Sequence, residues 1–204
     1  MLDKKLVRFK LDSVAVPGGA VWESTTHILG EVGIQCPARG LYRPCIDPFW
    51  VGVDEREILI FGRRGSLYGI GIDIEGRVVS VFEHQCYHHV SFVNSSIVHF
   101  NDSVSWFSRR FPIHGHGMGI GDFDLEAEEL KNALSDIDSP CLGPDTFWDS
   151  IYWDVVFGEW CSEEIEDEET DWTLFRFEPP DWWDSRDEWL SPSFEGYRST
   201  PSFG

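Results

Sequence analysis

Between residues 50 and 93 the chain alternates short apolar runs with tight turn signals, a pattern that few folds accommodate. Trp50–Val53, Glu57–Phe61, Leu67–Asp73 and Arg77–Phe82 are rich in isoleucine, valine and aromatics. Asp54-Glu55-Arg56, Gly62-Arg63-Arg64-Gly65 and Glu75-Gly76 separate them. Runs of this composition bounded by glycine and charged residues read as strands. Links this brief join antiparallel neighbours, because a parallel crossover needs a dozen residues or more. The expectation is an antiparallel meander, closed by a short strand at Val90–Val93.

A helix follows directly. Asn94, Ser95 or Ser96 can cap it by accepting bonds from unpaired backbone N–H groups. Ile97, Phe100, Val104 and Phe107 then fall on one stripe, which predicts a helix resting on the sheet. Upstream, the pattern predicts a strand over Leu6–Leu11 and a turn at Pro17-Gly18-Gly19. A short helix capped by Ser24-Thr25-Thr26 should run to Glu31, and residues 35–48 should form a loop. Downstream, glycines from His114 to Gly121 mark a connection. Ala127, Leu130, Leu134 and Ile137 define a helix over Leu125–Ile137. Asp145 or Thr146 begins another, with Trp148, Ile151, Tyr152 and Val155 on one face and Gly158 near its end. The fold class expected is α+β, an antiparallel meander packed by helices over residues 1–160, followed by an acidic, tryptophan-rich extension over residues 161–204.

Charge is distributed very unevenly. Residues 1–121 hold 12 acidic and 12 basic side chains, whereas residues 122–204 hold 24 acidic and 4 basic. The whole formal charge of −20 therefore lies in the C-terminal part. Nucleic acids and anionic membranes need cationic footprints, so neither is expected as a partner. A partner of opposite sign, with a basic surface, is the functional reading. A solvated acidic tail that aids solubility is the plain one. Neither a signal-peptide apolar stretch nor a run of about 20 apolar residues is visible, so a cytoplasmic location is expected. The odd cysteine count (Cys36, Cys45, Cys86, Cys141, Cys161), with no C-x-x-C pair, reads as free thiols.

Sites of chemistry are sparse. His84, Cys86, His88 and His89 are suitable zinc ligands, and on one continuous strand His84, Cys86 and His88 would share a face. A fourth ligand of matching spacing is lacking, so no metal or other cofactor is expected. The segment from His114 to Gly121 lacks the spacing of a phosphate-cradling loop. No G-x-S-x-G elbow occurs, and the expectation is a protein that is not an enzyme.

The stretch from Leu59 to Phe107 resembles the core of the SUKH superfamily, most of whose bacterial members are immunity proteins of polymorphic toxin systems. The matching features are Phe61-Gly62, Ile72-Asp73 with Gly76 and Val78-Val79, then Phe92-Val93-Asn94-Ser95-Ser96 and Phe100. Ile137-Asp138, Phe147-Trp148 and a helix ending near Gly158 resemble the fourth branch of that superfamily. The likeness spans roughly residues 24–160. It departs at Gly33-Ile34-Gln35-Cys36-Pro37, where relatives carry a tighter glycine–apolar–proline turn, and it has no counterpart for the C-terminal extension.

The resemblance implies neutralisation of a cognate protein toxin, such as a nuclease, by direct binding. On that reading Glu163, Glu164, Glu166, Asp167, Glu168, Glu169, Asp171 and Trp172 are the expected partner-binding residues, since buried aromatics anchor interfaces and charge steers encounter. A regulatory scaffold that binds a host protein is the alternative.

Overall fold

The computed structural model describes residues 6–9, 11, 19–35, 41–53, 56–64, 68–84, 87–115 and 118–160. Near the N-terminus, β1 (Leu6–Val7) pairs antiparallel with β2 (Ile34–Gln35). Between them lie α1 (Ala20–His27) and a π-helical turn at Ile28–Val32. The strand expected over Leu6–Leu11 is thus shorter. By Phe9 the chain has left the ladder: the Phe9 N–H donates to the Leu29 carbonyl at 2.9 Å, and its ring lies 6.3 Å from Phe61. Ser24, Thr25 and Thr26 do not cap α1 but lie inside it. The Thr26 hydroxyl is satisfied within the helix, donating to the Trp22 carbonyl at 2.8 Å. Entry falls instead to Gly19, whose φ of 124° suits glycine.

The meander is present. Strands β3 (Arg43–Val53), β4 (Arg56–Arg64), β5 (Tyr68–Asp73), β6 (Val78–His84) and β7 (Tyr87–Asn94) pair in chain order, all antiparallel. β3 begins within the region expected to be loop. Its prolines, Pro44 and Pro48, masked it, yet β3 is an edge strand, where a missing N–H need not cost a ladder bond. Its register against β4 shifts between Pro44 and Phe49.

Three longer helices follow: α2 (Ile97–Arg110), α3 (Ile120–Asp138) and α4 (Phe147–Val156), with a 3-10 turn at Ser139–Leu142. Ser96 caps α2 by accepting from the His99 N–H at 3.2 Å. Thr146 caps α4 through the Asp149 N–H at 3.2 Å. α3 starts earlier than expected, because the Asp122 carboxylate accepts from the Gly119 N–H at 2.8 Å and extends the helix into the glycine-rich connection.

Both faces of the sheet are apolar. Leu59, Phe61, Ile70, Ile72, Val78 and Val93 face the helices and join a cluster that runs from Phe9 to Trp160. Phe100 of α2 meets Phe61 with ring centroids 5.6 Å apart. On the opposite face Ile58, Ile60, Val79 and Val81 gather with Cys45 and Val53. Gly71 makes that second cluster possible. A Cβ there would lie 2.6 Å from Ile58 Cγ2 and 2.8 Å from the Leu59 carbonyl oxygen, so only hydrogen lets the isoleucines close over β5.

Candidate interaction surface

The end of β7 is fastened to the helices by a buried polar tie. The Asp138 carboxylate, at the C-terminus of α3, accepts from the Asn94 amide at 3.0 Å, the Ser95 N–H at 2.7 Å and the Ser95 hydroxyl at 2.7 Å. The Asn94 carbonyl oxygen accepts in turn from the Trp148 indole N–H at 3.0 Å, and its amide also reaches Ser103 at 3.3 Å. Sheet, α2, α3 and α4 thereby meet at a carboxylate that is only 5% exposed. Such a charge is tolerable because three donors replace its water. His99 stands at the rim, its Nδ1 3.7 Å from Asp138 Oδ1. Asn94, Ser95, Asp138 and Trp148 are motif positions taken from separate stretches of sequence, and the fold brings them together as a structural joint.

The side of the helices turned away from this joint has a different character. Phe147, Trp148, Ile151 and Val155 fill the inner face of α4. Asp149, Trp153 and Phe157 recur at helical spacing on the outer side. Phe157 is 72% exposed and Trp153 49%, and their rings stack with centroids 6.1 Å apart. Tyr152, expected on one face with Trp148, Ile151 and Val155, packs half-buried against the core at the seam with α3. Its hydroxyl donates to Glu128 at 3.0 Å, and the Lys131 ammonium lies 5.6 Å from its ring centroid.

Carboxylates gather at Tyr152, where Glu128 accepts its hydroxyl and the charges of Asp124 and Asp149 act on it. Residues 122–160 hold 11 acidic side chains and one basic, Lys131, a net of −10. Arg110 reaches from the end of α2 to pair with Glu126 at 2.7 Å and with Glu129, and Arg64 of β4 pairs with Asp154 at 2.7 Å. The Tyr152 hydroxyl is pushed above its ordinary pKa by burial, by the hydrogen bond to Glu128, and by the charges of Glu128, Asp124 and Asp149. The same hydrogen bond, aided by Lys131, holds the Glu128 carboxyl below the usual range. Asp124, Glu128 and Asp149 thus put the aromatic seam in a negative field.

Half of the negative charge read from the sequence therefore belongs to residues 122–160 and not to the extension. Glu163, Glu164, Glu166, Asp167, Glu168, Glu169, Asp171 and Trp172 lie outside the described residues. The outer face of α4 was overlooked because its inner stripe already accounts for a helix. The signal was the second set of aromatics, Trp153 and Phe157, opposite the first.

The premise of the zinc pattern is corrected. His84 ends β6 and His88 belongs to β7, where it faces Glu83 across the ladder, so the two histidines sit on opposite arms of a hairpin. Cys86 lies in the connection, outside the described residues. Among the described residues no group of three or more histidine, cysteine or carboxylate side chains is placed to hold a metal ion.

Fold and surface together define an α+β protein with a five-stranded antiparallel meander and an acidic helical layer bearing exposed aromatics. No family model, curated protein or solved structure matches the chain. Among the described residues no helix is long and apolar enough to cross a membrane.

Proposed function

We propose that the chain is a non-catalytic immunity protein of the SUKH type, acting in the bacterial cytoplasm by binding and silencing a cognate protein toxin. The observation that carries this reading is the segregation of charge. The chain to residue 121 is neutral, and residues 122–160 combine a net of −10 with stacked, solvent-facing aromatics. Acids around exposed rings suit a basic protein surface: the field hastens encounter with a cationic partner, and the rings supply the apolar contact that holds it. Toxins that act on nucleic acid carry such surfaces, because they must grip phosphates. The convergence of Asn94, Ser95, Asp138 and Trp148 supports the family resemblance, since those positions then serve the fold and leave the helical surface free to specialise.

The test is co-purification of the chain with the product of the adjacent gene, followed by assay of that product. A stable complex in which a toxic activity is silenced is expected. A neighbour that neither binds nor shows toxicity would overturn the immunity reading.

A further inference from the structure

We infer that the outer face of α4 is a docking surface for arginine or lysine side chains of a partner protein, with Asp149, Trp153 and Phe157 as its central row. The proposal rests on the protein-binding reading above and specifies the chemistry of the contact. Asp149 and Trp153 are four residues apart, and Trp153 and Phe157 four again, so carboxylate and rings stand in line along one helix face. A guanidinium seated over the Trp153 ring gains from the negative face of the indole. Asp149, which has no ion-pair partner among the described residues, lies one turn away to accept its N–H groups. Asp124 and the Glu128–Tyr152 pair flank the row from α3 and extend the same negative field.

Charge decides among the possible occupants. A second copy would set its own Asp149 and Asp124 carboxylates against those of this face. The chain's own extension, residues 161–204, holds 13 acidic and 3 basic side chains, again a net of −10. Both are repelled, whereas a cationic segment is attracted. The exposed rings of Trp153 and Phe157, with centroids 6.1 Å apart and planes 29° from parallel, also offer aromatic surface to a planar guanidinium.

The test uses the full chain with fluorotryptophan in place of its ten tryptophans, followed by fluorine NMR. A Trp153→Phe variant assigns the Trp153 resonance. The probe is a short synthetic peptide alternating arginine and glycine, and the control replaces each arginine with uncharged citrulline. The Trp153 resonance should shift saturably with the arginine peptide and stay still with the control. Asp149→Asn and Phe157→Ala should each weaken the midpoint about threefold, in keeping with an exposed cation–π or ion-pair contact. A Trp153 resonance that stays still while other tryptophans move would place cation binding on the extension and overturn the proposal. So would an equal response to citrulline. No toxin is needed, so failure here is distinct from failure of the immunity reading, which the co-purification decides separately.

Discussion

At the scale of single residues, stability depends most on how buried polar groups are paired. Asp138 holds three donors at 2.7–3.0 Å, and Asn94 links it to Trp148. Asp138→Asn removes the charge that strengthens those bonds and turns one acceptor into a donor facing donors. A loss of about 1.5–3 kcal/mol in urea unfolding is expected, the range for hydrogen bonds to a charged group. A change under about 0.5 kcal/mol, the range of ordinary surface substitutions, would deny the tie its structural role. The thiols give a second residue-scale outcome. Burial pushes both Cys45 and Cys141 from the usual 9.0 up to about 12, and Asp138 adds to the rise at Cys141. Both should resist alkylation in the native protein at about pH 8, because the thiolate is the reactive form. The unfolded thiol ionises above 9.0 while the folded one holds its proton to about 12. The stability the two groups contribute is therefore complete below 9.0 and lost as pH rises between those values. Peptide mass mapping after alkylation and unfolding measured across that interval check the two statements.

At the scale of elements, sequence patterns located the strands by their interiors and missed their ends. The stripes on α2 and α3 were legible because apolar side chains at helical spacing have no competing use: Ile97, Phe100, Val104 and Phe107 are all buried, as are Ala127, Leu130 and Leu134. β3 was not legible, because Pro44 and Pro48 read as loop unless it is known that the strand lies at an edge. The pairing of β6 with β7 was hidden too: no glycine or proline punctuates the sequence from His84 to Tyr87. The inner stripe of α4 was legible too, and Tyr152 lies at its edge, packed against the core with its hydroxyl on Glu128 at the seam with α3. Two substitutions separate packing from surface at this scale. Gly71→Ala forces a methyl group into space held by Ile58 and the Leu59 carbonyl, and should cost about 1–3 kcal/mol. Trp153→Ala with Phe157→Ala removes exposed rings, so the thermal midpoint should move little while partner binding falls. Calorimetry on both variants, alongside a binding assay for the second, tests the division.

For the whole molecule, the segregation of charge was legible in the sequence, but its placement was not. The acids of residues 122–160 are continuous in sequence with those of the extension, and only the packing of α3 against α4 brings Asp124 and Glu128 to Tyr152 on the helix that carries the exposed Trp153. The proposed interface would depend on ionic strength. The association rate with a basic partner should fall severalfold between low and physiological salt, while dissociation changes less, because screening acts on long-range steering more than on formed contacts. Stopped-flow mixing at several salt concentrations measures this directly, and a flat association rate would remove steering from the account.

The most direct test of the central claim is to titrate the activity of the adjacent gene's product with the purified chain. If the chain is an immunity protein that works by occupation, activity should fall linearly and vanish at one chain per toxin molecule, and Trp153→Ala with Phe157→Ala should shift the curve to higher concentrations. Full activity at a large molar excess of the folded chain would contradict it.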